Sequence, residues 1–589
     1  MYACSWDLLR DVYAWIDTDI DEADKAELRA LAGQAPDDGD QAYAAVADAA
    51  VAELADRFAG KLEFGTAGLR AAMAAGPNRM NRATVVQASW GLAEFLKQRA
   101  DTPKVVIGND ARHHSRQFAL DAAGVFTASG AQVWLLPDQV PTPVLAYAVR
   151  QLDADAGVMV TASHNPAADN GYKVYLGGRL APPQAQGVQI VPPSDSQIAA
   201  LIAAAPPANQ IERRAGWTDL PSDKPGHENR PGVPGSQALI SSYVDLIARD
   251  PGVGRVGAPI RIVHTAMHGV GSSPALAALH RAGFADVVSV EAQREPDPDF
   301  PTVGFPNPEE PGAIDLAIEL AKQVDADVVI ANDPDADRCA VAVPDPPTGW
   351  RMLHGDEVGA ALAEDVAGGL DTGVLANSVV SSRQLAVIAA EHGLGYARTL
   401  TGFKWLGRVD NLAYAYEEAI GYCVRPDLVR DKDGISAAVA VARLVSRLKG
   451  QGRTLIDLLD DLAYRHGLYL TSQLSVRVAD PDRIAAVMTR LRQDPPAELA
   501  GSEVSQVIDL AEGWDDLPPT EGIVLMTAEN DRVIVRPSGT EPKVKCYLEV
   551  IWPVPEDADR AGMTWVRESA AARLETIKAH LQKELFAAA

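Results

Sequence analysis

A serine, a histidine and a proline follow a continuous apolar stretch of the chain. Gly157 to Val160 predicts a buried strand, and Thr-Ala-Ser-His-Asn-Pro comes next, with the serine at position 163. Pro166 cannot continue a strand, so we expect Ser163 at the carboxyl edge of a sheet with its hydroxyl exposed. Open α/β folds bind their ligands at that edge. A turn-forming role is an equal alternative, and the absence of G-x-S-x-G disfavours an ordinary Ser-His-Asp hydrolase.

Three aspartates at alternate positions follow a second apolar run. Val328 to Ala331 predicts a strand, and Asp333, Asp335 and Asp337 come directly after it. Carboxylates gathered on one side of a loop repel one another, so such a loop needs a cation, and all-oxygen ligands suit Mg²⁺ or Mn²⁺. The loop is not an EF-hand, because Arg338 stands where that motif needs glycine. The pattern predicts a divalent-metal site, and the alternative is a solvated acidic turn.

A third stretch concentrates hydrogen-bond donors in one turn. The sequence VRPSGTEPKVKCYLEV, from Val535 to Val550, predicts strand, loop and strand. An arginine fork matches the geometry of phosphate, and backbone amides in a tight turn favour anions. The candidate phosphate ligands are Arg536, Ser538, the amide of Gly539, Thr540, and Lys543 or Lys545. As an isolated motif, a plain polar hairpin is equally compatible with it.

A fourth stretch carries two adjacent acids. Glu417 and Glu418 precede Ala-Ile-Gly, with the isoleucine at position 420. Two such carboxylates could accept hydrogen bonds from the vicinal hydroxyls of a sugar. Taken alone, the pattern is more typical of an exposed acidic loop.

Charge and composition narrow the classes of partner. The 589 residues carry a formal net charge of −27, which repels nucleic acid and anionic membranes. An anionic small substrate would need a local cluster of cations, such as the donors of the third stretch. Four scattered cysteines without a C-x-x-C pair indicate neither a disulfide framework nor a zinc site and favour reduced thiols in a cytoplasmic location. Neither a signal peptide nor a membrane span is predicted.

Three segments share one order of elements. Those starting at Lys104, Ile260 and Gly373 each predict strand, serine-containing loop, amphipathic helix and strand. This alternation is typical of parallel α/β layers, and the serines suit helix N-caps. The first 60 or so residues predict helices, Leu62 to Asn81 a glycine-rich loop carrying Arg70, and Ala205 to Gln237 a linker.

These observations divide the chain into four predicted domains. The first three are related α/β domains, and the part from about Leu468 onward predicts a separate α+β domain. We expect them to span residues 1–232, with the N-terminal helices and the serine loop; 233–345, with the aspartate loop; 346–465, with the acidic loop; and 466–589, with the phosphate loop.

Together the four stretches resemble the α-D-phosphohexomutase family, which includes phosphoglucomutases and phosphomannomutases. T-A-S-H-N-P, D-P-D-A-D-R, E-E-A-I-G and R-P-S-G-T-E-P occur in the family's order between Thr161 and Pro542. The resemblance implies three α/β domains with mixed parallel sheets and a C-terminal α+β domain. It further implies that these surround a central cleft, each contributing one loop, and that the last domain is mobile.

The resemblance also implies roles for individual residues. Ser163 would carry a phosphoryl group, and Asp333, Asp335 and Asp337 would hold one Mg²⁺ per chain against the phosphoserine. Acid and base roles would fall to Lys173, supported by His164 and Arg70, without deciding which group is the acid. Lys173 would need a lowered pKa in a crowded cationic cleft. The substrate ligands would be Arg338, Gly402, Lys404, Glu418, Arg536, Ser538, Gly539, Thr540 and Lys545.

The implied reaction interconverts hexose 1-phosphate and hexose 6-phosphate, of glucose or mannose, through a phosphoserine enzyme and a sugar 1,6-bisphosphate, with glucose 1,6-bisphosphate as activator or intermediate. Ile420 stands where many members carry serine in G-E-x-S-G, which removes one sugar hydrogen bond. The stretches TGFKW and DKDGISAA are similar to the branch that includes phosphopentomutases and sugar-bisphosphate synthases. A phosphopentomutase, a bisphosphate synthase or phosphatase, and a non-catalytic phosphosugar-binding protein are therefore the alternatives. The expected partner is a small phosphosugar, and the chain is expected to be a monomer or homodimer.

Overall fold

The structure is a computed structural model. It describes residues 6–34, 41–65, 68–220, 239–249, 257–345, 349–477, 481–537, 543–555 and 557–586. The chain divides into two compact units. The first comprises Met1–Pro251, Ile260–Ala342 and Arg425–Ala442, and the second comprises Gly252–Pro259, Val343–Val424 and Arg443–Ala589. Within the described residues, no helix is both long and apolar enough to cross a bilayer.

Helices open the first unit, as the sequence predicts. They are α1 (Trp6–Thr18), α2 (Glu22–Gln34) and α3 (Gln41–Arg57). Val12 and Ile16, four residues apart on α1, bury one face of that helix against Leu28 and Leu54, which is the helical period of an amphipathic segment.

The first sheet is mixed and carries the serine loop. Its strands lie in the order β1-β5-β4-β2-β3-β7, with β6 beside β5. The central strands β4, β2 and β3 run parallel, whereas β5 is antiparallel to β1, β4 and β6. The elements of this region are β1 (Leu69–Ala72), α4 (Arg82–Lys97), β2 (Lys104–Asn109), α5 (Ser115–Ala128), β3 (Gln132–Leu135), α6 (Thr142–Gln151), β4 (Ala156–Val160), β5 (Asp169–Leu176), β6 (Val188–Gln189), α7 (Ser194–Ala203), β7 (Thr218–Asp219) and α8 (Leu239–Ala248).

The second sheet carries the aspartate loop. Its strands lie in the order β12-β11-β10-β8-β9, with β10, β8 and β9 parallel and β11 antiparallel to β10. The run Val328 to Ala331 forms β10 with the predicted bounds, and all four side chains are buried. The elements here are β8 (Ile262–Thr265), α9 (Ser272–Arg281), β9 (Val287–Ser289), α10 (Asp315–Val324), β10 (Val328–Ala331), β11 (Ala340–Asp345) and β12 (Gly349–Met352).

The third sheet carries the acidic loop. Its strands lie in the order β14-β13-β15-β16, and the final pair is an antiparallel hairpin. The elements are α11 (Gly355–Ala367), β13 (Val374–Ser378), α12 (Gln384–Glu391), β14 (Gly395–Thr399), α13 (Phe403–Leu406), β15 (Leu412–Glu417), β16 (Gly421–Cys423), α14 (Gly434–Gly450) and α15 (Leu455–His466).

The C-terminal sheet is antiparallel throughout, in the order β17-β22-β21-β20-β19-β18. Val533 and Val535 face a core that includes Leu574 and Ile577 of the last helix, because alternate residues of a strand point to the same face. The elements are β17 (Leu468–Arg477), α16 (Pro481–Gln493), β18 (Glu498–Leu499), β19 (Ser502–Asp509), β20 (Ile523–Thr527), β21 (Arg532–Pro537), β22 (Lys543–Trp552) and α17 (Arg560–Phe586).

The three repeated segments form parallel strand–helix–strand units, β2-α5-β3, β8-α9-β9 and β13-α12-β14. The predicted serine caps of their helices are wrong. The N-cap residues are His114, Gly271 and Arg383. Ser115 instead donates its hydroxyl proton to Asp110 at 2.6 Å, at the tip of β2.

Two predicted loops are also partly ordered into the first sheet. Arg70 lies on strand β1, which pairs with β5, rather than in a continuous loop. The predicted linker begins with residues that add strand β7 beside β3 and place the amide of Arg214 on the carbonyl of Gly124. Its remainder, residues 221–237, lies outside the described residues.

Candidate active site

Ser163 lies just beyond the tip of β4, where the sequence places it. Its backbone φ is +52°, in the left-handed region that few non-glycine residues adopt. The backbone amide donates to Thr161 Oγ1 at 2.9 Å, and the side-chain hydroxyl donates to Asp333 Oδ2, also at 2.9 Å. The expectation of an exposed hydroxyl is wrong, because only 2% of the residue is accessible. The strained turn aims Ser163 at the aspartate loop instead of at solvent.

Arg112 holds the shape of the serine loop. Its guanidinium donates to the backbone carbonyls of Ser163 and Asn165 at 2.6 Å each, of Pro166 at 2.7 Å and of Asp169 at 3.1 Å. The carbonyls of Ser163, Asn165 and Pro166 lie in the loop between β4 and β5, and that of Asp169 lies at the start of β5. The arginine therefore ties the loop together by side-chain hydrogen bonds to its backbone. The sequence analysis missed this residue. The one sequence feature that could have indicated it is an arginine in the polar loop after β2.

Asp333, Asp335 and Asp337 come together in a fully buried cluster. Each offers one carboxylate oxygen within 4.8 Å of the other two. Asp335 Oδ2 accepts from Thr142 Oγ1 at 2.7 Å and from Lys173 Nζ at 2.8 Å. Lys173 Nζ also donates to Asp337 Oδ2 at 3.1 Å. The prediction of a solvated acidic turn is therefore wrong, and the predicted gathering of the three carboxylates is confirmed.

Two oxygens of this cluster are left without a hydrogen bond. Among the described residues, none donates to Asp335 Oδ1 or to Asp337 Oδ1, although both atoms are buried. A buried polar atom without a partner costs about 1–3 kcal/mol, and more where it is charged. Free carboxylate oxygens beside a serine hydroxyl are the donor set that a hard divalent cation requires. The residues therefore fit a metal ion.

Neighbouring segments shape the aspartate loop. Asn332 donates to the carbonyl of Arg338 at 2.8 Å and is itself held by His264 at 3.0 Å. Ala336 turns the loop with φ at +56°. Gly434, in the DKDGISAA stretch, packs so closely that an added Cβ would lie 2.1 Å from the Arg338 carbonyl. Only glycine fits there.

The pKa values of Asp333 and Asp337 are shifted in opposite directions. Burial raises the pKa of Asp333 well above its usual value, and the carboxylates of Asp335 and Asp337 add to that effect. Burial acts in the same direction on Asp337, but Lys173, Lys432 and Arg338 together hold its pKa below the usual range. Lys432 was missed by the sequence analysis, and its Nζ lies 3.3 Å from Asp337 Oδ2.

Lys173 does not have the lowered pKa that was expected of it. Burial acts to lower the pKa of this ammonium group, but the carboxylates of Asp335 and Asp337 outweigh burial and leave the pKa raised. The expectation of a cationic environment took no account of the aspartates, which lie 162 and 164 positions further along the chain. Lys173 is therefore a protonated group in this arrangement.

The other predicted residues of this region lie around the serine. Arg70 Nη1 donates to Asn165 Oδ1 at 3.1 Å, and His164 Nδ1 lies 3.4 Å from Ser163 Oγ. Arg338 Nε lies 3.8 Å from Asp333 and 3.7 Å from Asp337. Burial lowers the pKa of His164 well below 6.5, and the positive charges of Arg338 and Arg70 reinforce the shift. The histidine is therefore neutral near pH 7.

The acidic loop of the second unit is a tight hairpin whose carboxylates are engaged. Glu417 Oε1 accepts from the amide of Gly402 at 2.6 Å. Glu418 Oε2 accepts from the hydroxyls of Ser381 at 2.8 Å and Ser378 at 3.2 Å. Both glutamates are only partly accessible, so the exposed acidic loop that the pattern favoured is not what forms.

Ile420 turns this hairpin with φ at +52°, an uncommon conformation for a β-branched residue. Its side chain is fully buried. The side chain at position 420, which was expected to decide one hydrogen bond to the sugar, is therefore packed inside the protein.

The phosphate strands meet the loop that precedes α13. Arg536 donates to Thr401 Oγ1, next to Gly402. Lys545 lies directly opposite Arg536 in the β21–β22 register, and Lys404 is half-buried within α13. Ser538, Gly539 and Thr540 lie outside the described residues, so their predicted part in phosphate binding stays a prediction.

Models of known protein families match most of the chain. Models described as phosphoglucomutase/phosphomannomutase alpha/beta/alpha domain I, domain II, domain III and C-terminal domain match residues 61–206, 241–348, 354–465 and 474–558. The chain belongs to the phosphoglucomutase/phosphomannomutase family. The predicted resemblance to α-D-phosphohexomutases and the predicted fold class are thereby confirmed.

Relatives within this family carry several names. The chain is 46% identical over 487 residues to a "Probable phosphomannomutase" of Haemophilus influenzae, covering 82% of this chain and 95% of that protein. It is 36% identical to the human "Phosphopentomutase", covering 85% of this chain and 87% of that protein. It is 33% identical to the human "Glucose 1,6-bisphosphate synthase", covering 86% of each.

Solved structures agree on the fold. A putative phosphomannomutase from Thermus thermophilus superposes with a TM-score of 0.63 at 22% identity, covering 88% of this chain and 99% of that one. The phosphoglucomutase parafusin from Paramecium gives 0.63 at 18% identity, covering 89% and 95%.

Membership of the phosphohexomutase family establishes the class of activity. The relatives named phosphomannomutase and phosphopentomutase are mutases, which are isomerases, and the chain is an enzyme of this class. The alternative of a non-catalytic phosphosugar-binding protein is therefore wrong. The aspartate cluster can hold a metal ion, as the family's need for magnesium requires.

Proposed function

We propose that the protein moves a phosphoryl group between two hydroxyls of one sugar phosphate, with Ser163 as the carrier and a hexose phosphate of glucose or mannose as substrate. The observation that carries the proposal is the hydrogen bond from Ser163 Oγ to Asp333, at 2.9 Å, beside two carboxylate oxygens that accept no hydrogen bond from any described residue. A serine built only for a turn would not be aimed into such a cluster.

The reaction balances without a co-reactant. In the first half, the bond between phosphorus and the Oγ of phosphorylated Ser163 breaks and Oγ takes up a proton, while a sugar hydroxyl oxygen loses its proton and bonds to phosphorus. The product is a sugar bisphosphate. In the second half, Ser163 Oγ gives up its proton and takes the other phosphoryl group, and the released sugar oxygen regains a proton. Positioning and charge stabilisation supply most of the acceleration in phosphoryl transfer.

Each of the clustered residues has a part in this proposal. Mg²⁺, one per chain, held by Asp333, Asp335 and Asp337 would offset negative charge on the transferring phosphoryl group. Lys173 keeps its proton beside the carboxylates and is the proposed general acid. His164 is neutral, lies 3.4 Å from Ser163 Oγ, and is the proposed base.

We assign recognition of the substrate to the acidic loop, the phosphate loop and two arginines. We assign the sugar hydroxyls to Glu418, with Gly402 and Lys404 beside it. The phosphate that does not react would bind Arg536, Ser538, Gly539, Thr540 and Lys545. Arg70 and Arg338 would balance the charge of the phosphoserine, which carries about −1.5 to −2 at pH 7.

A pentose phosphate is the second candidate substrate. Two features favour it: Ile420 in place of the serine of G-E-x-S-G, and the 36–37% identity to proteins named phosphopentomutase. A bisphosphate synthase is a third reading, supported by the 33% identity to proteins of that name.

The deciding experiment measures kcat/KM for glucose 1-phosphate, mannose 1-phosphate and ribose 1-phosphate in parallel, with Mg²⁺ and a trace of glucose 1,6-bisphosphate. A tenfold preference corresponds to about 1.4 kcal/mol of transition-state discrimination. A hexose preference supports the first proposal, and a ribose preference replaces it with the second. Net bisphosphate formation in a parallel assay that also contains an added phosphoryl donor indicates a synthase. Turnover that survives Ser163→Ala would reject the whole mechanism.

We further propose a cytoplasmic location for the enzyme. Cys339 and Cys546 are free, buried thiols, and Cys423 is buried as well; buried thiols are the usual state of cysteines in a reducing compartment.

A further inference from the structure

The loop that follows β13 contacts two other parts of the second unit at once. We call residues 378–383, with the sequence SVVSSR, the docking segment. Its hydroxyls face the acidic hairpin, and its backbone carbonyls, one hydroxyl and its arginine face the C-terminal sheet. The segment thus lies between a proposed sugar ligand and the sheet that carries the proposed phosphate ligands.

On the side of the acidic hairpin, the docking segment holds Glu418. Ser378 and Ser381 donate to Glu418 Oε2 at 3.2 and 2.8 Å, and the amide of Glu418 donates to Ser381 Oγ at 3.2 Å. The two serine hydroxyls lie 2.9 Å apart. These bonds fix both the backbone and the carboxylate of Glu418.

On the side of the C-terminal sheet, two buried charges hold the same segment. Arg532, at the start of β21, donates to the carbonyls of Val379 at 3.0 Å and Ser381 at 2.6 Å. Glu549, on β22, accepts from Ser382 Oγ at 2.8 Å and from Arg383 Nε at 2.6 Å.

The two charges also pair with each other. Arg532 Nη2 lies 3.2 Å from Glu549 Oε2, and both side chains are almost completely buried. Burial acts to raise the pKa of Glu549, but the charges of Arg532 and Arg383 outweigh it and lower the pKa, so the group is a carboxylate. One ion pair therefore anchors both ends of the docking segment to one sheet.

Apolar packing makes the same connection. Val379 and Val380 of the docking segment are buried in one core with Val524 and Ile534 of the C-terminal sheet and with Leu510, which follows β19. The segment is part of a shared core rather than a surface loop. Through this shared core, the C-terminal domain, which was expected to be mobile, packs against the domain of the acidic hairpin.

We propose that Arg532 and Glu549 are positioning residues that set the affinity for the sugar phosphate by holding the docking segment, and through it Glu418. The inference rests on the proposed function, because it takes Glu418 as a ligand of the sugar. It predicts that the acidic hairpin and strand β21, which leads to Arg536, act as one recognition unit.

The test compares Arg532→Lys with a matched control. Lysine keeps the charge but cannot reach two carbonyls with one planar fork. The control is Arg573→Lys, which changes another largely buried arginine of the C-terminal domain, paired with Asp531 at 2.6 Å. Arg573 donates to Asp531 and to the carbonyl of Ala500 rather than to the docking segment.

Binding is measured by calorimetry in the Ser163→Ala background, with glucose 1-phosphate and ribose 1-phosphate as the probes. We expect Arg532→Lys to weaken the Kd by tenfold or more and Arg573→Lys to leave it within twofold. In the active background, Arg532→Lys should raise KM and leave kcat within about threefold. An unchanged Kd, or a fall in kcat at constant KM, would overturn the inference.

Ser381→Ala tests the same route without touching the ion pair. It removes both hydrogen bonds between the Ser381 hydroxyl and Glu418, while its backbone carbonyl still accepts from Arg532. We expect a three- to tenfold weaker Kd, and less than the product of the two effects in the double variant with Arg532→Lys. Full additivity would contradict the inference.

The outcomes separate this inference from the proposed function. Normal turnover of a sugar phosphate with an unchanged Kd in Arg532→Lys rejects the inference alone. Absence of turnover in the wild-type chain, together with weakened binding in Arg532→Lys, rejects the mutase mechanism and keeps the positioning role. Absence of any binding rejects both.

Discussion

Two buried clusters of charge differ in how completely they are neutralised. Around Asp335 and Asp337, two carboxylate oxygens accept no hydrogen bond within the described part of the chain. Around Glu549, both oxygens accept, one from Ser382 and the amide of Arg383, the other from the Arg383 side chain. The first cluster is incomplete, and the second is complete.

The difference separates a site from a scaffold. Buried polar atoms without partners are rare in native proteins, and each needs an explanation such as a ligand. The aspartate cluster therefore retains charge that a cation and a phosphoryl group can use. In the Glu549 cluster both carboxylate oxygens already accept hydrogen bonds, and its charges hold the docking segment of residues 378–383. Burial alone does not distinguish the two, since both are inaccessible.

The largest expected effect comes from removing the carrier itself. Ser163→Ala should lower kcat by about 10⁴-fold or more, as expected for loss of a nucleophile, and leave the thermal midpoint within about 2 °C. Steady-state kinetics and calorimetry check this. Ser129→Ala, at the end of α5, is the control and should leave both unchanged. Retained activity in Ser163→Ala would show that the incomplete cluster is not the reaction centre.

Neutral isosteres should affect the metal-free stability of the two clusters in opposite ways. Glu549→Gln breaks a buried pair and should cost about 3–5 kcal/mol. Asp333→Asn should cost nothing or stabilise, because burial and the carboxylates of Asp335 and Asp337 disfavour the charge of Asp333 and raise its pKa. Urea unfolding in a chelating buffer measures both. Equal losses would remove the distinction between an incomplete and a complete cluster.

Magnesium should stabilise only through the incomplete cluster. A ligand at 100 times its Kd adds about 2.7 kcal/mol to the stability of the folded state. Mg²⁺ should therefore raise the thermal midpoint of the wild-type chain, and a chelator should reverse the rise. Asp337→Asn should abolish the response, and Glu549→Gln should keep it. A response that persists in Asp337→Asn would place the ion elsewhere.

The smallest expected effect is a change at low pH in the stability that Glu549 contributes. The pKa of Glu549 in the fold lies below its ordinary value of 4.5. Its charge therefore adds stability above pH 4.5, and that contribution is lost as pH falls through the lower folded value, at about 1.4 kcal/mol per unit of pKa shift. The stability gap between wild type and Glu549→Gln should be constant from pH 6 to 8 and narrow below pH 4.5. A gap independent of pH down to the acid transition would contradict the lowered pKa.

Much of the fold was predictable because its signals are local. The run Val328 to Ala331 forms β10 with the predicted bounds, and the three strand–helix–strand segments pair in parallel as expected. The strand within Leu62 to Asn81 was not predicted, because this stretch is rich in glycine. Strand β1 forms there by pairing with β5, about 100 positions away. Backbone pairing at that distance leaves no local periodicity to detect.

The sequence by itself determined which side chains could do chemistry. Serine, three aspartates, two glutamates and an arginine each stand in a short motif, and a motif needs only neighbours along the chain. The tertiary structure decided what those side chains can do. Ser163 and Asp333 meet across 170 positions, and Arg532 reaches Ser381 across 151. Charge state, burial and the missing hydrogen bonds depend on such distant partners, because electrostatic and desolvation energies follow distances in space rather than along the chain.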